Sequence, residues 1–430
     1  MMKFNTHYFI FGLVIVVLIS GCAQQENKEK VSEDFVQEEN KFIPPQEKHT
    51  PPEDYFADIA YLPSCGDKKE LLSASPLELS DFTTITPLGL LYPTAHVIPS
   101  PHLYLTIRGI DPNPNNHNSP PVKVSIFAPA DLTITKIKFI EARGHPEVDD
   151  GAIEFGICRE FKAYLDHLKT LSPKIKQIYE DAQTLRCDEY SLTYAQPVGK
   201  LDFKVCQKLV DIKIQKGEML GTGGEDTRRI LDFGAFDRRV TPKQFANPDR
   251  FRHNAHHNYL VCALDYYPEN LKTELKSRLG GYIQDGREIR GADCGEVIQD
   301  IPGTAMGIWA PSGIGSFGHD PPYLALAHEN IEPQYLVVNM GDSAEKAGLR
   351  HGKYTFLPKN EGMVNRHFKD ITSDGKVYCF ETVDTYPNRG AKINILLDMP
   401  SPTRLRIQKY DAASCGSDPW NLTNYAEFER

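Results

Sequence analysis

Two predicted strands joined by a glycine-rich turn span Asp211–Arg239, which reads DIKIQKGEMLGTGGEDTRRILDFGAFDRR. Its first part alternates isoleucine with polar residues, the period-two pattern of a half-buried strand. In its last part, the same alternation puts Asp232 on one face with Ile230 and Gly234. A carboxylate on an apolar strand costs free energy unless it is hydrogen-bonded, paired with a charge or bound to a metal. The sequence therefore requires a partner for Asp232.

The composition indicates an ordinary globular protein with much β-structure. The chain has 430 residues, of which 40% are hydrophobic and 25% charged, enough for two or three domains. Its net charge of −10 argues against nucleic acid as a partner. With 31 glycines, 31 prolines and only short apolar runs, the fold is expected to be mainly β with few short helices.

The N-terminus has the pattern of an export signal. The apolar run Tyr8–Ile19 is too short for an ordinary membrane span. Ile19–Cys22 resembles the lipobox of prokaryotic lipoproteins, which implies a signal peptide over 1–22 and lipidation of Cys22. We therefore expect an exported protein that a lipid anchor holds at the cell membrane or cell surface. An uncleaved hydrophobic anchor is the alternative.

Eight cysteines remain after Cys22, and an even number in an exported chain predicts disulfides. None has the Cys-x-x-Cys spacing of zinc ribbons or redox motifs. Proximity in sequence favours three pairs, Cys187–Cys206, Cys262–Cys294 and Cys379–Cys415, which leaves Cys65 to pair with Cys158.

Composition and strand patterns divide the rest of the chain into four parts. Residues 23–54 are rich in Gln, Glu, Lys and Pro, which predicts a flexible tether. A β-domain is predicted over 55–250, a connector with a short helix over 251–324, and a C-terminal β-rich domain over 325–430. A further helix is predicted after Ser172, because proline follows it at the first helical position.

Three segments of the first domain resemble the lysostaphin-type zinc endopeptidases, whose domain carries the duplicated hybrid motif. Phe127–Thr135 is similar to that family's Ala-Pro-x-Asp-Gly-x-Val element, Phe161–Leu168 to its Tyr-x-His-Leu strand, and Ile214–Gly223 to the turn before its last catalytic strand. The resemblance covers roughly 86–239 and implies a lysostaphin-like β-sheet domain. A closer resemblance is to a group of exported, uncharacterised proteins, through Leu231–Gly234, Phe245–Pro248, Cys294–Asp300 and Pro302–Ala305.

The resemblance also implies a zinc site with one catalytic position missing. The peptidases bind zinc through a histidine, an aspartate and the second histidine of a His-x-His pair. Here Asp232 occupies the place of that second histidine, and Ile230 replaces the first, which acts in catalysis. The remaining metal-ligand candidates are His96 and His102, and His167 matches the family's other catalytic histidine.

Two interpretations of these residues remain open. In the favoured one, the domain is non-catalytic and binds or scaffolds cell-wall polymer or an envelope protein, without a cofactor. His96 and His102 then cap loop backbone, while Asp232 pairs with a nearby arginine, Arg228, Arg229 or Arg238. In the other, the protein is an active zinc-dependent endopeptidase or hydrolase that acts on cell-wall peptide or protein. Its zinc ligands would be His96, His102 and Asp232, with His167 as the acid–base helper.

Two further motifs are weaker. His253, His256 and His257 form a histidine cluster without nearby carboxylates, which favours an ordinary loop over a metal site. The segment 341–352 has the superficial pattern of the helix entry of PDZ domains, which gives a third hypothesis, a binder of free C-terminal peptides.

Overall fold

A computed structural model describes most of the chain beyond the predicted tether. The described residues are 54–93, 96–108, 122–146, 149–193, 200–224, 229–282, 287–313, 322–386 and 390–430. They all belong to one compact unit. The predicted signal peptide, the lipidation of Cys22 and residues 23–53 lie outside them. Within the described ranges, no helix has the length and apolarity needed to cross a membrane.

Twelve strands precede residue 262 in the described part of the chain. They are β1 Phe82–Thr86, β2 Leu103–Ile107, β3 Val124–Phe127, β4 Leu132–Ala142, β5 Asp150–Cys158, β6 Phe161–Asp166, β7 Thr170–Leu171, β8 Thr184–Thr193, β9 Lys200–Ile214, β10 Met219–Gly223, β11 Ile230–Asp237 and β12 Leu260–Val261. Nine of them form the first sheet, in the order β1-β2-β11-β6-β5-β4-β9-β8, with β12 added beside β11. The other three form a small sheet in the order β3-β10-β7.

The later strands build a second large sheet. They are β13 Gly280–Tyr282, β14 Glu288–Arg290, β15 Gly307–Pro311, β16 Leu324–His328, β17 Leu336–Met340, β18 Gly352–Phe356, β19 Val377–Glu381, β20 Asp384–Tyr386, β21 Asn394–Ser401, β22 Arg404–Tyr410 and β23 Ala426–Glu429. β13 and β14 pair only with each other. The second sheet has the order β19-β21-β22-β23-β15-β16-β17-β18-β20.

The helices are short and few, as the sequence predicts. The α-helices are α1, Pro173–Asp181, and α2, Glu269–Lys276. Short 3-10 helical segments occupy Ala57–Ile59, Arg252–Tyr259, Ala263–Tyr266, Asp342–Ala347 and Phe368–Asp370. The prediction of a mainly β chain with few short helices is confirmed, as are the helix directly after Ser172 and a short helix in the connector, α2.

One face of strand β11 lies in the hydrophobic core, and the other face carries Asp232. Leu231, Phe233 and Ala235 are almost fully buried in the main hydrophobic core. Burying an aliphatic or aromatic side chain contributes roughly 1.5–3 kcal/mol, so this face fixes the register of β11. Since successive side chains of a strand point to opposite sides, Asp232 must lie on the other face.

All four predicted disulfides are present. Cys65–Cys158, Cys187–Cys206, Cys262–Cys294 and Cys379–Cys415 have Cα–Cα distances of 5.3, 4.1, 6.1 and 5.9 Å. Each of the last three closes a loop of fewer than forty residues (sequence separations 19, 32 and 36). Four disulfides fit a protein that folds in an oxidising, extracellular type of environment.

Candidate metal centre

The strand register brings Asp232 beside the ends of β2 and β6. On β11, Asp232 lies opposite Tyr104 of β2 and opposite Asp166 of β6. Directly opposed residues of neighbouring strands project from the same face of a sheet. His102 precedes Tyr104 by two residues and therefore shares that face. The backbone alone thus gathers two of the predicted site residues.

His102 points one ring nitrogen at Asp232 and the other at Tyr164. Its Nε2 lies 3.1 Å from Oδ2 of Asp232, and its Nδ1 lies 2.7 Å from the hydroxyl of Tyr164. The side chains of His102 and Asp232 are 10% and 6% exposed. Although Nε2 is close to the carboxylate, it is buried and makes no hydrogen bond to any described residue.

His167 approaches the same carboxylate oxygen from β6. Its Nε2 lies 3.3 Å from Oδ2 of Asp232, and its Nδ1 lies 3.0 Å from Oδ2 of Asp150. The backbone φ of His167 is +73°, a left-handed conformation that is uncommon outside glycine. It breaks the alternation after Asp166. Such strain costs of the order of 1–3 kcal/mol and is concentrated at functional sites.

Both histidines have the hydrogen-bonding arrangement of metal ligands. In metal sites, a histidine ligand almost always engages its second ring nitrogen with a carboxylate, a carbonyl or another polar partner. Asp150 has this role for His167, and Tyr164 has it for His102. Two Nε2 atoms therefore converge on one oxygen of Asp232. The opposite ring nitrogen of each histidine is held by Asp150 or by Tyr164, which fixes the orientation of the ring.

His96 completes the cluster from the loop between β1 and β2. Its ring centroid lies 5.5 Å from that of His102 and 6.1 Å from that of Tyr104. The structure thus brings together His96, His102, His167 and Asp232, all of the metal and catalytic candidates from the sequence. His102 and His167 are the two whose Nε2 atoms contact Asp232.

The histidines differ in their charge. Burial, together with the smaller effect of the neighbouring His167, lowers the pKa of His96 to about 4. Burial likewise lowers the pKa of His102 to about 4, although Asp232 opposes the shift. Burial also disfavours charge on His167, but the contacts with Asp150 and Asp232 raise its pKa well above the ordinary value. His96 and His102 are therefore neutral at pH 7, the form of imidazole that binds metals, whereas His167 would have to release its Nε2 proton for a metal ion to take the place of its contact with Asp232.

Among the described residues, Asp232 does not form the ion pair with an arginine that was considered from the sequence. Its ion-pair partners are His102 and His167, and Arg238 pairs instead with Asp54. Arg228 lies outside the described residues.

The second histidine cluster packs against aromatic rings. His256 stacks on Tyr55 with ring centroids 4.2 Å apart, and His257 lies parallel to Phe236 at 6.2 Å. The side chain of His253 lies outside the described residues. These contacts give His256 and His257 a packing role.

Sequence reasoning missed Asp150 and Tyr164. Asp150 is 5% exposed and begins β5, and donor atoms of Asp150, Asp166 and His167 lie within 4.8 Å of one another. Asp166 is also 3.4 Å from the Lys138 ammonium, which reduces its negative charge. The reasoning applied to Asp232 would have found Asp150, because it too is an acidic residue entering an apolar strand.

No family model, curated protein or solved structure matches this chain. The function of the site is therefore inferred from its own geometry.

Gly234 makes room for the outer partner of His102, which gives a testable prediction. A Cβ at this position would lie 2.2 Å from Cε1 and 2.8 Å from the hydroxyl of Tyr164. We expect Gly234→Ala to displace Tyr164 and lower the free energy of unfolding by roughly 1–3 kcal/mol. At a site that holds zinc, as the resemblance implies, it would also weaken the binding of zinc about 10- to 100-fold. Chemical denaturation and competition with a chromogenic chelator measure the two effects.

The matched control for this prediction is Tyr164→Phe, which keeps the ring and removes only its hydroxyl. If Gly234→Ala acts through Tyr164, the losses of zinc affinity in the two variants will not add in the double variant. Fully additive losses of zinc affinity would show that Gly234→Ala does not act through Tyr164.

Proposed function

We propose that this chain is a zinc-dependent hydrolase whose metal ligands are His102, Asp232 and His167. The observation that carries the proposal is the convergence of two histidine Nε2 atoms on Oδ2 of Asp232, at 3.1 and 3.3 Å. Ligands at about 2.0–2.1 Å from a tetrahedral zinc ion are roughly 3.3–3.4 Å apart. The two histidine–aspartate distances match that spacing. The three donor atoms do not all lie within 4.8 Å of one another, so a bound ion would draw the two imidazoles closer together.

The chemistry of the donor set also suits this metal. Two imidazoles and one carboxylate are typical of catalytic zinc sites, which leave a further coordination position open. Nε2 of His102 and Oδ1 of Asp232 are buried without a hydrogen-bond partner among the described residues. A buried polar atom without a partner costs free energy, and a cation between these groups would remove that cost.

The geometry favours His167 over His96 as the third ligand. His167 contacts Asp232 directly, and Asp150 orients it from the opposite ring nitrogen. His96 lies beside His102, with ring centroids 5.5 Å apart, and is not among the described ion-pair partners of Asp232. This assignment revises the ligand set expected from the sequence, in which His96 was a ligand and His167 the catalytic helper.

The roles of the individual side chains follow from these contacts. A zinc ion at such a site supplies Lewis acidity toward a substrate carbonyl and toward water. Asp150 and Tyr164 hold the imidazoles of His167 and His102 so that their Nε2 lone pairs face the site. His96 is neutral and can accept a proton from an attacking water at a ring nitrogen.

The substrate class follows from export and from the resemblance. We propose that the protein acts on cell-wall peptide or on an envelope protein, while the lipid on Cys22 anchors it to the membrane. The four disulfides support an extracellular or periplasmic setting. The resemblance to lysostaphin-type endopeptidases supports peptide-bond cleavage.

A second candidate function is non-catalytic binding at the envelope, with the metal in a structural role. One observation favours it: Ile230, two residues before Asp232 on the same strand face, has no group that can move a proton. In this alternative the protein binds zinc and holds wall polymer or a protein partner without cleaving it.

The experiment that tests the proposed function combines metal analysis with a cleavage assay. Protein purified without a histidine tag is expected to contain about one zinc per chain and to release peptides from purified wall material. Chelation should abolish release, and added zinc should restore it. His96→Ala should keep zinc but lose about 100-fold or more of the activity, whereas His351→Ala, a histidine of the second sheet region, should keep both. Bound zinc without cleavage supports the binding function, and protein without zinc contradicts both.

A further inference from the structure

The loop that carries His96 rests on the second sheet. This histidine loop, residues 87–102, joins β1 to β2, and all of it except 94–95 is described. The hydroxyl of Tyr92 lies 2.7 Å from that of Tyr386 in β20. Leu91 is buried in an apolar cluster with three residues of β16 and β17, namely Ala325, Ala327 and Val337.

Asn339 of β17 binds the loop at the position of His96. Its side chain has no exposed surface, and its amide nitrogen donates to the carbonyl oxygens of His96, at 2.9 Å, and of Val97, at 2.8 Å. An asparagine amide has two N–H donors, and this pair of bonds uses both. The sequence separation is more than 240 residues, so the contact depends wholly on the tertiary fold.

We infer that Asn339 is a positioning residue for His96, and that the second sheet is a wall of the metal centre. The role of His96 in proton transfer rests on the proposed function, but its anchoring does not. Within the loop, His96 is also bridged to Tyr92 by two backbone hydrogen bonds. Those bonds fix the shape of the turn, and Asn339 fixes where the turn lies relative to the rest of the structure.

The consequence is that a residue outside the site controls its geometry. Without the Asn339 amide, the buried carbonyl of Val97 loses its donor and the carbonyl of His96 keeps only the N–H of Tyr92, so the turn is no longer held to β17 and can shift. A displacement of about 1 Å at a reacting group can cost on the order of 100-fold in rate. Asn339 thus acts on catalysis through His96 alone.

The test compares Asn339→Leu with Asn394→Leu in the full exported chain. Asn394 of β21 is a buried asparagine of the same sheet that donates to the carbonyl of Ala412 at 2.6 Å, far from the histidine loop in the sheet order. Both variants lose side-chain bonds to backbone carbonyls from the same sheet, two in Asn339→Leu and one in Asn394→Leu. The readout is the ring Cε1–Hε1 NMR signal of His96 in protein labelled with 13C-histidine, assigned with His96→Gln and measured without metal.

We expect Asn339→Leu to shift the His96 signal and to reduce turnover on wall peptide roughly 10- to 100-fold with KM little changed. Asn394→Leu should leave both unchanged at a similar loss of melting temperature. If Asn339→Leu does not fold, Asn339→Asp keeps the shape and removes the two donors. An unmoved His96 signal in either folded variant would overturn the inference. If the His96 signal shifts but the protein neither binds zinc nor cleaves wall peptide, the positioning role of Asn339 stands and only the proposed function is rejected.

Discussion

Replacing Asp232 with alanine is expected to leave the purified protein with almost no bound zinc. Oδ2 of Asp232 is the oxygen that both His102 and His167 contact, so the substitution removes a ligand and the group on which the other two converge. The loss should exceed the roughly 10- to 100-fold weakening expected from removing an outer partner, as in Tyr164→Phe. Elemental analysis of tag-free protein and competition with a chelator measure it.

Asp211→Ala is the matched control for Asp232→Ala. Asp211 is an exposed carboxylate on β9 that bonds the hydroxyl of Tyr61. Added zinc should raise the melting temperature of the wild type and of Asp211→Ala, because a ligand that binds only the folded state stabilises it. It should not raise that of Asp232→Ala. Wild-type zinc content in a folded Asp232→Ala protein would reject the ligand assignment.

The sequence was sufficient to predict the parts of the site that depend on strand alternation. A half-buried strand has one apolar face, so an acidic residue at Asp232 had to project from the other side. Once β2, β11 and β6 are adjacent, His102 and His167 reach the same oxygen because each lies at an end of its strand. The disulfides were predictable for a related reason, since three of the four join cysteines that are close in sequence.

The remaining parts depend on contacts that no local pattern encodes. The left-handed φ of His167 orients its ring, and only a small minority of histidines adopt that conformation, so the residue type does not predict it. Asp150 belongs to a different strand from the groups it supports. Asn339 reaches His96 from the second sheet, and the distance in sequence hides this contact completely.

The second prediction with a large expected effect concerns Lys162, a buried lysine on the face of the first sheet that also carries Asp232. Lys162 is 1% exposed, and its ammonium lies 2.8 Å from Asp58 and 2.9 Å from Glu154. It also donates to the carbonyl of Tyr55 at 2.9 Å and lies 4.1 Å from the centre of that ring. Through these contacts Lys162 attaches the first described segment of the chain to β5 and β6.

We expect Lys162→Met to lower the free energy of unfolding by roughly 3–5 kcal/mol, because it removes the buried ammonium that two carboxylates, Asp58 and Glu154, share at side-chain exposures of only 20% and 21%. Chemical denaturation at pH 7 measures the loss. Lys136→Met is the matched control: Lys136 pairs with the same Glu154, at 2.8 Å, but its side chain is 22% exposed. A more solvated pair contributes about 0–1 kcal/mol, so this variant should remain close to the wild type. Equal losses of unfolding free energy in Lys162→Met and Lys136→Met would contradict the expected difference between a buried and a more exposed lysine.

The difference between Lys162→Met and the wild type should also depend on pH. Burial disfavours the ionised form of Glu154, but Lys162 and Lys136 together hold its pKa below the ordinary 4.5. A carboxyl group whose pKa is depressed in the folded state contributes stability that is present above its unfolded pKa and lost as the pH falls through the folded one. The destabilisation should therefore be complete above pH 4.5 and shrink below it. A difference that stays constant down to pH 3 would mean that Lys162 acts through packing against Tyr55, because its charge would then make no contribution through Glu154.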